Sequence, residues 1–210
     1  MQHITDAIGR LRGALGERSN VASATLYGSY VRGGFRAGVS DINLALVLRD
    51  DDLGALTAPL QEAWRAARVD PWIAREHELP RLCDVFATRV RDIQRTREML
   101  VGDDPWRTLV VPRAALRLRV EQELRNHQMR LRRALVLSDA AGQLRQLHAA
   151  ASSLRLDLEL AEELAGSLDL PAADLAVVRD FRFDPLVDAL AAIQRLLDRT
   201  IDIVDRLEVT

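Results

Sequence analysis

Four residues near the start of the chain have the types and spacing that phosphate chemistry needs. Gly28 and Ser29 follow an apolar, strand-like run, where glycine permits close backbone approach and serine offers an amide and a hydroxyl to a phosphate oxygen. Asp41 and Asn43 begin a second such run and, being two residues apart, point to the same face of a sheet. Oxygen side chains bind Mg²⁺, which bridges to substrate phosphates. This pairing opposite a Gly-Ser turn is what nucleotidyl transfer requires.

Each of these residues also has an ordinary structural interpretation. Gly-Ser at the end of a strand is a common turn, and Asp41 ahead of an apolar strand can bond its own backbone in a turn. Asn43 is equally consistent with a strand-edge residue and with a ligand. The spacing of the whole segment, rather than any single residue, favours a phosphate site.

The segment Leu26–Leu44 resembles the motif of the polymerase-beta-like nucleotidyltransferase superfamily, which is a hydrophobic residue, Gly-Ser, a spacer and then Asp-x-Asp in a strand. The spacer between Ser29 and Asp41 has the family's length, and Arg32-Gly33 matches an element frequent in small bacterial members. The stretch Asp92–Pro105 is similar to a bacterial subgroup with a helical domain behind the transferase domain.

The resemblance implies a two-metal reaction on a nucleoside triphosphate. A hydroxyl of an acceptor attacks the α-phosphate, a nucleoside monophosphate is transferred, and pyrophosphate leaves. Gly28 and Ser29 would hold the triphosphate, and Arg32 would approach it.

The resemblance also implies a Mg²⁺ site, with one departure from the family. Asp41 would be a catalytic metal ligand, and Asp92 is the candidate for the third family carboxylate, which comes from a later strand. Asn43 stands where the family has a second aspartate, and an amide oxygen lacks the charge that offsets a dication. The predicted metal ligands are therefore Asp41, Asn43 and Asp92. Two alternatives stay open: an active nucleotidyltransferase, and a non-catalytic protein of this fold acting as an antitoxin-like or other protein-interaction partner.

The acceptor stays open between a small molecule, a protein and an RNA. An arginine-rich helical segment resembles an RNA-binding face; its members are Arg117, Arg119, Arg125, Arg130, Arg132 and Arg133. Glu121 and Arg125, however, have the i, i+4 spacing of a solvated ion-pair ladder, which is the favoured interpretation. An aromatic content of 4% also leaves few platforms on which unpaired bases stack.

Strand-like and helical runs that position these residues alternate in the first half of the chain. Strands are predicted over 21–27, 42–48, 69–74, 85–91 and 108–111, and helices over 1–18, 53–68 and 78–83. The predicted fold class is α/β (α+β). A polymerase-beta-like nucleotidyltransferase domain with a mixed sheet, residues 1–112, precedes an all-α helical bundle, residues 113–210.

The bundle is predicted from long stretches of helical periodicity. Helices are expected over 114–137 and 141–166, with Gly166 as a C-cap. A further helix is expected to open at Asp184-Pro185, with the aspartate as N-cap and the proline as first helical residue.

Composition excludes several other classes of function. All 29 basic residues are Arg, which excludes Schiff-base chemistry and a P-loop lysine. This bias also indicates a GC-rich bacterial genome. The net charge of −2 offers no polycation for nucleic acid or an anionic membrane.

The cysteine and hydropathy patterns favour a cytoplasmic protein without a membrane partner. Cys83 is the single cysteine, so no intrachain disulfide forms, and no Cys/His spacing typical of a metal site surrounds it. No stretch approaches the apolar length of a membrane span. The oligomeric state stays open, with a homodimer as one alternative.

Overall fold

The computed structural model describes residues 2–36 and 40–208 of the 210-residue chain. The chain divides into two compact units, Met1–Val111 and Pro112–Thr210. Within the described ranges, no helix is long and apolar enough to cross a membrane.

The first unit is built on a mixed sheet. Four strands are found in its described part: β1 (Val21–Tyr27), β2 (Ile42–Leu48), β3 (Val69–Arg75) and β4 (Glu98–Gly102). Their order is β3-β2-β1-β4, in which β1 runs antiparallel to β2 and β4 while β2 and β3 are parallel. The α-helices are α1 (Gln2–Gly16), α2 (Gly54–Ala67), α3 (Leu79–Val85) and α4 (Ala87–Thr96), with 3-10 turns at Glu76–Glu78 and Pro105–Thr108. The predicted α+β class with a mixed sheet is confirmed.

Helices cover both faces of this sheet, which is why β2 is a nearly continuous apolar run. On one face, Leu26 and Leu44 pack in a buried cluster with residues of α1 and α2 such as Leu11. On the other face, Val47 packs in a second cluster with Val90 of α4. The two faces therefore give unit 1 two cores that share one sheet.

Two predicted strands are wrong. Residues 85–91 span the end of α3, a turn at Phe86 and the start of α4, because Ala87, Val90 and Ile93 are buried at helical rather than alternating spacing. Thr108 is the last residue of a 3-10 turn, and residues 109–111 pair with no strand in the described part of the chain. The strand that completes the sheet is β4, and it ends at Gly102, whose backbone has φ +74° beside β1.

The second unit is helical. Its α-helices within the described residues are α5 (Arg113–Leu137), α6 (Ala140–Ala165), α7 (Ala172–Arg179) and α8 (Leu186–Asp205). Gly166 caps α6 in the left-handed conformation, as predicted. The short α7 was not predicted, and Pro185 rather than Asp184 is the N-cap of α8.

Candidate functional site

Three polar positions meet at one end of the sheet of unit 1. Tyr27, the last residue of β1, pairs with Asn43 on β2, and Asn43 pairs with Asp70 on the parallel strand β3. Residues that face each other across neighbouring strands project to the same side of a sheet. Asn43 and Asp70 therefore lie on the face that α4 covers, at the end where β1 passes into Gly28 and Ser29.

The turn that follows β1 folds tightly against Asn43. Gly28 has φ +79°, and a Cβ at this position would lie 2.6 Å from the Asn43 Nδ2 atom. The Gly28 carbonyl accepts the Arg32 N–H at 3.1 Å, and the Gly28 N–H donates to the Thr96 hydroxyl at 2.8 Å. The turn therefore requires glycine for both conformation and space.

Ser29 supplies two hydrogen-bond donors in this turn. Its carbonyl accepts the Gly34 N–H at 2.9 Å. Within the described residues, neither its backbone N–H nor its hydroxyl has a hydrogen-bond partner. Because the Gly28 N–H donates to Thr96, the amide and hydroxyl of Ser29 are the donors next to Gly28 that an anion at this turn would meet.

The structure brings Arg32 and Asp92 together behind the turn. Their side chains are 21% and 7% exposed, and Arg32 Nη1 lies 3.4 Å from Asp92 Oδ1. Asp92 reaches this point from helix α4, not from the strand that was predicted to carry it. Its Oδ2 atom would lie 3.6 Å from a Cβ on Gly28, so Asp92 lies next to the turn. Its carboxylate is paired there with the Arg32 guanidinium.

Asp41 has an arginine partner as well. It precedes the first residue of β2, and its Oδ1 accepts a hydrogen bond from Arg68 Nε at 2.6 Å. The Asp41 and Arg68 side chains are 36% and 51% exposed, so water competes for this pair.

Asp70 is the site residue that sequence reasoning missed. Within the described part of the chain it makes no hydrogen bond or ion pair, and its side chain is exposed. The available signal was an acidic residue at the start of the predicted strand 69–74. Its meaning depends on the parallel pairing of β2 and β3, which sets Asp70 beside Asn43.

Tyr27 is a buried residue next to the site, and its surroundings change the pKa of its phenol. The pKa of Tyr27 is raised to about 12, chiefly by burial; the positive charge of Arg89 lowers it, and the negative charges of Asp92 and Asp70 raise it. The phenol therefore remains protonated and neutral through the physiological range. It closes the apolar core beneath the polar end of the sheet without acting as a base.

The oxygen donors near this end of the sheet are two carboxylates and one amide. No group of three or more His, Cys, Asp or Glu within the described residues is arranged to hold a metal ion. Asp41 and Asp70 supply carboxylates and Asn43 an amide oxygen, whereas Asp92 is paired with Arg32. Mg²⁺ is commonly held by one or two carboxylates together with substrate phosphates, and this donor set meets that requirement.

The arginine-rich helix α5 forms an ion-pair ladder over part of its length. Arg117 and Arg125 both pair with Glu121, and Arg119 pairs with Glu123. The three arginines near its C-terminal end have no acidic partner within the described residues; these are Arg130, Arg132 and Arg133. The ladder interpretation thus accounts for the first half of the helix.

Comparison with known families identifies the part of the chain that carries the site. Residues 8–99 match the nucleotidyltransferase domain family. No curated protein matches the sequence. The matched range contains Gly28, Ser29, Asn43 and Asp70.

Proposed function

Because residues 8–99 form a nucleotidyltransferase domain of the polymerase-beta-like family, we propose that this protein transfers a nucleoside monophosphate from a nucleoside triphosphate to an acceptor hydroxyl, releasing pyrophosphate. The observation that carries the proposal is the Gly28-Ser29 turn folded against Asn43, which is in register with Asp70. Donors for an anion and ligands for a cation lie side by side at one end of the sheet.

The turn and Arg32 are the proposed triphosphate contacts. Ser29 offers its amide and hydroxyl to a phosphate oxygen, and Gly28 allows the backbone to approach it. Arg32 stays within reach of the turn because the buried carboxylate of Asp92 holds its guanidinium. In this arrangement Asp92 orients an arginine, and Asp70 takes the third-carboxylate role for which Asp92 was the sequence candidate.

Asp41, Asn43 and Asp70 are the residues that would hold Mg²⁺. Bound there with the triphosphate, the ion supplies charge neutralisation of the phosphates and polarisation of the α-phosphate. The protein's own contribution is to set Asn43 and Asp70 in register on adjacent strands, with Asp41 just before the first residue of β2.

The test is titration of each nucleoside triphosphate by calorimetry, with and without Mg²⁺, followed by transfer of α-phosphate label to candidate small-molecule, protein and RNA acceptors. Ser29→Ala should weaken triphosphate binding about tenfold, since a hydrogen bond to a charged group is lost. Ser19→Ala is the matched control, because Ser19 is an exposed serine of the same unit. Equal triphosphate affinities of the two variants would refute the proposed phosphate site at Ser29.

A second candidate function is supported by the charges of the site. Asn43 is neutral, and Asp41 and Asp92 each face an arginine. Such a site suits a non-catalytic protein of this fold that binds nucleotide or a protein partner, as in an antitoxin-like role. Triphosphate binding without pyrophosphate release, for every acceptor tried, would favour this candidate.

A further inference from the structure

Arg68 occupies a backbone position that favours a smaller residue. It ends α2 in the left-handed conformation, with φ 53°, and its N–H bonds to the carbonyls of Ala63 and Trp64. Its own carbonyl accepts the Ile42 N–H at 3.0 Å, which ties it to the first residue of β2. Glycine or asparagine is the usual residue at such a helix end. A strained residue beside a candidate site is a reason to ask what its side chain does.

The Arg68 side chain makes two contacts, one of them with the candidate metal ligand Asp41. Its guanidinium lies 5.4 Å from the centre of the Trp64 ring, and its Nε donates to Asp41 Oδ1 at 2.6 Å. Arg68 is also two residues before Asp70 in the chain. One guanidinium thus neutralises the carboxylate that a metal would need.

The two arginines of the site differ in how firmly they are held. Arg32 pairs with Asp92, whose side chain is 7% exposed. Arg68 and Asp41 are both much more exposed, and exposed ion pairs are weak and exchange readily with solvent ions. Arg68 is therefore the cation that a ligand can displace.

We propose that Arg68 is a triphosphate-binding residue that exchanges partners. In the free protein it is the counter-cation of Asp41. When nucleoside triphosphate and a divalent cation bind, Asp41 is released to the cation, and the guanidinium turns to a phosphate oxygen, for which its planar fork is well suited. The inference rests on the proposed function, because it needs a triphosphate at the Gly28-Ser29 turn.

The experiment compares Arg68→Gln with Arg65→Gln. Arg65 lies on the same helix, and its guanidinium donates to Gln61, so the control changes the net charge equally without touching Asp41. Two affinities are measured by calorimetry: Mn²⁺ alone, which takes the same oxygen ligands as Mg²⁺, and each nucleoside triphosphate with Mg²⁺.

Opposite changes are expected. Arg68→Gln should bind Mn²⁺ about fivefold more tightly, since an exposed competitor of modest strength is removed. It should bind triphosphate about tenfold more weakly, since a charge-assisted hydrogen bond is lost. Arg68→Gly, which suits the left-handed backbone, should show both changes in a fully folded protein.

Each other outcome overturns a stated part of the inference. Mn²⁺ affinity equal to that of the control removes Arg68 as the counter-cation of Asp41. Triphosphate affinity equal to that of the control removes its contact with phosphate. If the parent protein binds no triphosphate, both the proposed function and this inference are refuted. If the parent binds triphosphate and both affinities of the Arg68 variants equal those of the control, only the inference is refuted.

Discussion

Replacing Asn43 by aspartate puts a second carboxylate next to a buried one. The Asn43 Nδ2 and Asp92 Oδ2 atoms lie 2.6 and 3.6 Å from the same point, a Cβ built on Gly28. The two atoms are therefore at most about 6 Å apart, and two negative charges at that distance repel by about 2–3 kcal/mol at an effective dielectric constant of about 20. Arg32, 3.4 Å from Asp92, offsets part of this repulsion. We expect Asn43→Asp to lose about 1–3 kcal/mol of stability without metal.

The assay is thermal unfolding with and without Mg²⁺. For a unit of this size, the expected loss lowers the midpoint by roughly 5–15 °C. The deficit should shrink as the pH falls toward about 4, where carboxyls take up protons and the repulsion ends. Added Mg²⁺ should restore stability and bind more tightly than in the parent, because the new carboxylate is in register with Asp70 and two residues from Asp41.

A charge-swapped double variant makes the test specific. Asn43→Asp with Asp92→Asn has the same number of charges as the parent, so it should recover stability relative to Asn43→Asp alone. The reasoning is refuted if the double variant is no more stable than the single one, or if the single variant changes neither the midpoint nor the Mg²⁺ affinity.

Three further predictions concern the same end of the sheet. Gly28→Ala should destabilise the protein by about 2–3 kcal/mol in urea unfolding, because the backbone is left-handed and the new methyl group would meet Asn43. The control is Gly33→Ala, which has the same φ of +79° but lies in open space and should lose only about 1 kcal/mol. Equal losses in the two variants would contradict the contact with Asn43. Thr96→Val removes the acceptor of the Gly28 N–H and should lower stability by about 1–2 kcal/mol and weaken triphosphate binding, whereas Thr96→Ser should keep both. Ultraviolet titration should show Tyr27 ionising near pH 12. A raised folded-state pKa stabilises the protein below the unfolded value of about 10, and this contribution is lost as the pH rises toward about 12, so Tyr27→Phe should flatten the alkaline stability profile between those values.

The sequence was sufficient where a local pattern determines the structure. β1 and β2 are apolar runs bounded by turn residues, and their observed bounds, Val21–Tyr27 and Ile42–Leu48, equal the predicted ones. Gly28, Ser29 and Asn43 follow from those bounds, because a residue just beyond or just inside a strand end has a fixed direction. The structure places Gly28 against Asn43, with Ser29 next in the same turn, and their role in binding stays a prediction.

The remainder of the site depends on pairing that a single sequence does not encode locally. Asp70 joins the site only because β3 lies parallel to β2, and its own neighbours give no sign of that. Asp92 was expected beside a strand, yet Val90 and Ile93 are apolar at a spacing that serves a helix, and the short run is ambiguous between the two. The pairing of Asp41 with Arg68 likewise depends on where α2 ends.

The close approach of Gly102 to β1 bears on how natural variation at this site is to be interpreted. A Cβ there would lie 2.0 Å from the Ala22 carbonyl oxygen, so in any homologue with this backbone the position admits glycine alone, whatever the protein binds. Gly28 is constrained by its surroundings in the same way. A glycine that does not vary among homologues at either position would therefore reflect the requirements of the backbone and would not indicate selection for a ligand. Ser29 is different, because its hydroxyl makes no hydrogen bond within the part of the chain that the structure describes. Its persistence or loss among homologues is the record in which selection for phosphate binding would be visible.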